Sequence, residues 1–312
     1  MRRNQWIFIN IKHLFISVLV LGLFSACNKN KTTRIIFTGD LLLDRGVREK
    51  IKHKGMDDLF HESIDAIFLS SDIVVANLEC PATKIKEPIH KKFIFRAEPE
   101  WLERLESHGI THLNLANNHS MDQGRKGLVD THKQILKYNM IPLGFGLNAK
   151  QACQPTLLTT YPRKVYLLSS LQVPSENWTF LENQPCVCEE SIETIAERIE
   201  KMKTEDENAV VIVQLHWGAE HTLKPMILQK QQAYQLIDAG ADVIVGHHPH
   251  TIQTVELYKK KPIYYSIGNF IFDQKKPINS KGLLVSLEID KSNILSTQIE
   301  IEIENCVPKV RE

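Results

Sequence analysis

The sequence predicts an α/β fold with a largely parallel centre. Two patterns carry that reading: short β-branched apolar runs alternate with stretches of helical period, and small polar clusters stand directly after the apolar runs. The runs at 35–38, 73–76, 112–115, 210–215, 243–245 and 263–266 are unbroken rather than alternating, as expected of strands buried on both faces. Between them, 58–70, 100–108, 127–138, 191–203 and 227–239 repeat apolar residues at helical spacing, with Gly109, Gly144 and Gly240 as stops. Residues 282–289 and 294–303 read as a terminal antiparallel pair around Asp290-Lys291-Ser292-Asn293. No linker divides 34–312, which therefore reads as one domain.

Composition narrows the function classes. Lys plus Arg number 38 against 37 for Asp plus Glu, so the basic excess that nucleic-acid binding requires is missing. Apolar residues at 43% and charged residues at 24% of 312 describe a globular chain, not a disordered one. Residues 1–26 carry Arg2, Arg3 and Lys12 with no acid, then an apolar run too short for a comfortable bilayer span. This segment reads as a signal peptide, and Phe24-Ser25-Ala26-Cys27 resembles a bacterial lipobox with Cys27 as the lipidated residue. The expected product is an exported lipoprotein held at the inner or outer membrane of the cell envelope, with 27–33 as a polar tether. Six cysteines include Cys27, leaving five; Cys186-Val187-Cys188 has no matching second pair, so free or incidentally paired thiols are expected rather than a zinc site.

The chemistry sits in the strand-end clusters. They are Thr38-Gly39-Asp40, Asn77-Leu78-Glu79, Asn117-Asn118-His119-Ser120-Met121-Asp122, the run from Gln214 through His216 to Glu220 and His221, and Gly246-His247-His248-Pro249-His250. In open α/β sheets the loops beyond the carboxyl ends of strands converge on one crevice. Carboxylate, amide oxygen and imidazole together suit divalent Mn, Fe or Zn, as one ion or two, and a carboxylate can bridge a pair. Asp40, Glu79, Asn118, His216, His248 and His250 are the metal candidates, and His119 the candidate proton donor. Asn117, Asp122, Glu220 and His247 are assigned to support of the ligands or to substrate, as are Asp44 and His221; Asn269 is assigned to holding a loop. His53, His61, His90, His108, His112 and His132 read as surface or packing residues.

The order Gly39-Asp40, Asn77-Leu78-Glu79, Asn118-His119, His216, then Gly246-His247-His248-Pro249-His250 resembles the calcineurin-like metallophosphoesterase superfamily. With Asn114-Leu115-Ala116 before Asn117, His216-Trp217-Gly218 and Tyr265-Ser266-Ile267-Gly268-Asn269-Phe270, it is more closely similar to the bacterial capsule-synthesis, poly-γ-glutamate (CapA-type) family. The resemblance spans about 34–273 and implies a layered sandwich with mixed, largely parallel central sheets. It also implies an anionic polymer partner, poly-γ-glutamate or capsule material, together with membrane synthase or export subunits. The alternative is a metal-dependent hydrolase of a phosphoester or polymer amide. Three positions depart from the phosphoesterase pattern: Leu42 replaces a histidine, Glu79 an aspartate, and Asn117 a glycine. The basic run Lys84, Lys86, His90, Lys91, Lys92 and Arg96 offers either a polymer contact or a solvated loop.

Overall fold

The computed structural model describes residues 32–174 and 176–311. The expected signal peptide and Cys27 lie outside the described residues, and Thr33, expected in the tether, already opens the first strand. The chain runs β1 (Thr33–Leu41), α1 (Arg45–Lys54), α2 (Glu62–Phe68), β2 (Ile73–Leu78), α3 (Leu102–Ser107), β3 (His112–Asn114), α4 (Gly124–Lys137) and β4 (Ile141–Leu143). Next come β5 (Phe145–Gly146), α5 (Ala149–Ala152), β6 (Thr156–Thr159), β7 (Val165–Leu171), β8 (Cys186–Val187), α6 (Ile192–Glu205) and β9 (Val210–His216). It closes with α7 (Ile227–Asp238), β10 (Val243–His247), β11 (Val255–Tyr258), β12 (Lys261–Tyr264), β13 (Asn269–Ile271), β14 (Lys281–Ile289), β15 (Ile294–Glu304) and β16 (Val307–Val310).

Two mixed sheets result. One has the order β16-β15-β14-β1-β2-β3-β4 with β13 beside the end of β1, and the other β11-β12-β10-β9-β7-β6. Their centres, β1-β2-β3-β4 and β7-β9-β10-β12, are parallel, and the antiparallel strands lie toward the edges. The period of two in a strand then builds the layers. Ile35 and Phe37 of β1 and Val75 of β2 meet Ile212, Val243 and Val245 between the sheets. Ile36, Val74 and Ala76 on the opposite face pack under α1 to α4, while Val211, Val213 and Ile244 pack under α6 and α7. The architecture is helix, sheet, sheet, helix, and burying each large apolar side chain in it contributes roughly 1.5–3 kcal/mol.

Two local expectations are corrected, and the thiols expected to be free or paired are assigned. The helix expected over 58–70 is broken: Asp57–Leu59 forms a 3-10 turn, and His61 accepts from the Ser63 N–H to start α2 afresh. The strand expected at 263–266 is Lys261–Tyr264, because Ser266 turns to bond the Thr251 carbonyl. Cys153 and Cys188 form a disulfide, leaving Cys80, Cys186 and Cys306 free among the described residues. Among those residues no helix is long and apolar enough to cross a membrane.

Candidate metal centre at the strand ends

Register places the polar residues in two facing rows. In the first sheet Asp40 on β1 pairs with Asn77 on β2 and with Asn269 on β13, and Asn77 pairs with Asn114 on β3. In the second sheet His247 on β10 pairs with His216 on β9. The row at Asp40 depends on irregular backbone: the β1 pairing shifts between Phe37 and Asp40, and a shift of this kind re-aims the residues that follow it. Gly39 makes the shift possible, since a Cβ there would stand 2.2 Å from the Gly268 carbonyl oxygen.

Asp40 is closed on four sides. Its Oδ1 accepts from Asn77 Nδ2 (2.8 Å) and His247 Nδ1 (3.2 Å), and its Oδ2 from the His248 N–H (3.4 Å) and His250 Nδ1 (3.1 Å). Burial alone would raise its carboxyl, but the bonds from His247 and His250 outweigh burial and hold it well below the usual carboxylate range. His247 has both ring nitrogens engaged, because Nε2 accepts from Gln214 Nε2 at 2.9 Å. It therefore orients Asp40 and offers no free lone pair.

Glu79 is the opposite case. It follows β2 directly, its N–H bonded to the Leu41 carbonyl (2.9 Å), and its side chain is fully buried. Neither Oε1 nor Oε2 has a hydrogen-bond partner. Around Oε1 stand His250 Nε2 (3.6 Å), His216 Nε2 (3.9 Å) and His119 Nε2 (4.0 Å). Burial pushes its carboxyl well above the ordinary value; the His250 charge opposes this and Asp40 adds to it.

The imidazoles divide into two groups that share Glu79. His250 Nδ1 faces two acceptors, Asn269 Oδ1 (2.9 Å) and Asp40 Oδ2, so it carries the proton and Nε2 is aimed at Glu79. Burial works against charge on this ring, yet Glu79 and Asp40 outweigh it and push its pKa up to about 9. His216 Nε2 lies 2.9 Å from Asn118 Oδ1 and 3.2 Å from His248 Nδ1. Amide oxygen, carboxylate and two imidazole nitrogens thus converge with too few protons to satisfy one another. Burial, reinforced by His248, holds His216 well below the usual imidazole range, and burial with His250 nearby brings His248 to about 4. Neutral imidazoles are the form a metal binds. His248 and His250 both have left-handed backbone, φ 98° and 55°, a strained conformation that turns their rings into the site.

Asp40, Glu79 and His250 form one trio of possible ligands, and Glu79, His216 and His248 a second, each with its donor atoms within 4.8 Å of one another. The residues fit a divalent ion: the orphaned Glu79 carboxylate is what a cation would satisfy, and the mixed N and O donors suit Mn, Fe or Zn.

The remaining assigned residues fall around this core. His119 Nδ1 donates to Asp122 Oδ2 (2.8 Å), its ring lies against Phe95, and burial lowers its pKa while Asp122 opposes. Asn117 braces the turn, donating to Leu78 O and accepting the His119 N–H. Glu220 and His221 stand at the exposed rim, with His221 held by Asn279. Asp44 is not at the site: it caps α1 and binds Arg48 and the Arg96 N–H. Leu42 is buried in the helix-side core and contributes packing there. Asn269 does hold a loop, through Gln274 and the Asn279 carbonyl, and also orients His250.

Gln214, named in a strand-end cluster, and Lys91, named in the basic run, are given no role at the site by the sequence alone and have one. Gln214 stands two residues before His216 on β9 and so shares its face, a spacing that could have found it. Lys91 gave no signal beyond its charge; its ammonium is buried against Asp122 Oδ1 (2.9 Å) and the Asn118 carbonyl (2.8 Å). The basic run is thereby partly consumed inside the protein, Lys84 and Arg96 pairing with Glu98.

A family model described as "Bacterial capsule synthesis protein PGA_cap" matches residues 34–274. The chain belongs to this family. It is 31% identical over 301 residues to the PGA biosynthesis protein CapA of Bacillus subtilis, covering 90% of this chain and 78% of that one. It is also 31% identical over 288 residues to the capsule biosynthesis protein CapA of Bacillus anthracis, covering 90% and 70%. Among solved structures, a hypothetical protein from Thermus thermophilus shares the fold, with TM-score 0.51 and 14% identity over 86% of this chain and 99% of that one. The PGA_cap match takes in both facing rows, from Asp40 to Asn269.

Proposed function

We propose that the chain is an envelope lipoprotein acting in synthesis or export of an anionic capsule polymer, poly-γ-glutamate by similarity to its relatives. In this reading residues 1–26 are removed, Cys27 carries lipid, and the domain from residue 34 onward holds one or two divalent ions. The observation that carries the metal centre is Glu79, a buried carboxylate with no hydrogen-bond partner that two ligand trios share. Asp40 and His250 would hold one ion with Glu79; His216, His248 and Asn118 would hold the other. Ions there would act as Lewis acids toward a phosphoryl or carbonyl oxygen. Metal analysis of the purified protein tests the centre, and polymer amount and release in a deletion strain test the role. Unchanged polymer in a strain known to make it would sink the capsule reading.

A second reading, a metal-dependent hydrolase of a phosphoester or polymer amide, rests on the His119–Asp122 pair. With Nδ1–H given to Asp122, His119 Nε2 points toward Glu79 with its lone pair free; it is the atom positioned to take a proton from an attacking water and, as the imidazolium so formed, to pass it to a leaving group. Turnover of aryl phosphates or poly-γ-glutamate with Mn or Zn, lost in His119→Ala, supports this reading. Polymer binding without turnover favours an assembly role.

A further inference from the structure

We propose that the cavity between α1, the loop 272–280 and the β15–β16 turn binds a polycarboxylate chain passing the metal centre. The inference rests on the capsule-polymer reading and supplies the path. The cavity has a volume of about 830 Å³, and Lys50, Lys54 and Lys275 line it. Lys54 and Lys275 are exposed, whereas Lys50 pairs with Asp58. The lining's carboxylate, Asp273, is already bound by Arg45 and by the Gly46 N–H (3.0 Å). The chain as a whole is near neutral, so this excess of ammonium groups is local.

The cavity is joined to the centre through two of its own walls. Phe272 packs on the His250 ring at 4.8 Å between centroids. Gln274 accepts from Asn269 Nδ2 (3.0 Å), and Asn269 Oδ1 in turn fixes His250. Lys275 and Lys54 thus line a groove whose Phe272 wall is shared with His250 of the centre.

Energetics favour a chain over a small anion. One exposed ammonium–carboxylate contact contributes roughly 0–1 kcal/mol and is screened by salt. A polymer with a carboxylate on every residue makes several such contacts at the entropic cost of one association. Phe272 adds an apolar wall for the methylene groups between those carboxylates.

Cys306, a half-buried free thiol in the lining, is a built-in reporter. The full chain is alkylated with a maleimide, with and without poly-γ-glutamate, and the Cys306 peptide is followed by mass spectrometry. Polymer at ten times its Kd should slow labelling about tenfold. The double variant Lys54→Glu, Lys275→Glu should lose that protection and keep its metal and its thermal transition. Asp40→Ala should lose metal and keep the protection, so failure of the groove and failure of the metal centre read out separately. Unprotected Cys306, or protection unchanged in the double variant, overturns the groove. Stronger protection by polyphosphate of equal charge overturns the polycarboxylate assignment.

Discussion

Two buried carboxylates at opposite ends of β10 make the most instructive contrast in the molecule. Asp242, just before the strand, binds Lys203 Nζ (2.7 Å), Lys261 Nζ and the Val211 N–H (2.9 Å). Burial would raise its carboxyl, yet Lys203 and Lys261 outweigh burial and lower it. Glu79 faces the far end, where His247 closes the strand, and has no such partners. Burial therefore does not decide what a carboxylate is for. Asp242, satisfied by two lysines and a backbone N–H, belongs to the fold; Glu79, left without a hydrogen bond beside three histidines, is a receptor for something the chain does not supply.

The largest expected effect tests the open end. Asp40→Ala and His216→Ala should each lose most bound metal while retaining a cooperative thermal transition, because the strand faces, not the loops, make the core. Cys186→Ala, a free thiol in neither trio, should keep its metal. Full occupancy in both ligand variants would falsify the site assignment. Next, saturating metal at 100 times Kd should stabilise the unsubstituted protein by about 2.7 kcal/mol, reversibly with chelator, and leave Asp40→Ala unmoved.

The contrast itself is broken or sharpened by paired substitutions in metal-free protein. Asp242→Asn should cost about 2 kcal/mol in denaturant unfolding, by orphaning its donors. Glu79→Gln should cost little, since neither carboxyl oxygen accepts a hydrogen bond that the amide would lose. Equal destabilisation by the two would erase the distinction. The smallest effect is in acid. The Asp242 carboxyl sits below its ordinary 3.8 in the folded state, so its contribution is full above that pH and fades as pH falls through the lowered folded value. Asp242→Asn should flatten this acid limb of the stability curve.

Much of this was legible in the sequence because β1, β2, β9 and β10 are buried on both faces. Their apolar runs are unbroken, and a cluster of polar residues at or just beyond each strand end follows the run. Asp40, Glu79, His216 and His250 could be named for that reason. Helix α1 could not, since only Val47 and Ile51 of its ten residues are buried and the rest reads as solvated charge. Strand β7 escaped because Tyr166, Ser169 and Ser170 interrupt its apolar run. The Cys153–Cys188 bond spans 35 residues, and spacing alone does not choose among partners. Nor does any residue pattern announce that His248 and His250 adopt positive φ, which is what aims both rings inward.

The direction of β1 has a consequence for how the protein stands. Thr33 enters at one end of the sandwich and Asp40 leaves at the other, seven steps or about 23 Å away. If a lipid on Cys27 holds the chain, the six residues to Thr33 add at most about 20 Å of leash. The anchor then grips the base of the molecule while the Glu79 crevice opens at its summit. Such a protein would handle a polymer strand well above the lipid headgroups, after the strand has cleared the membrane.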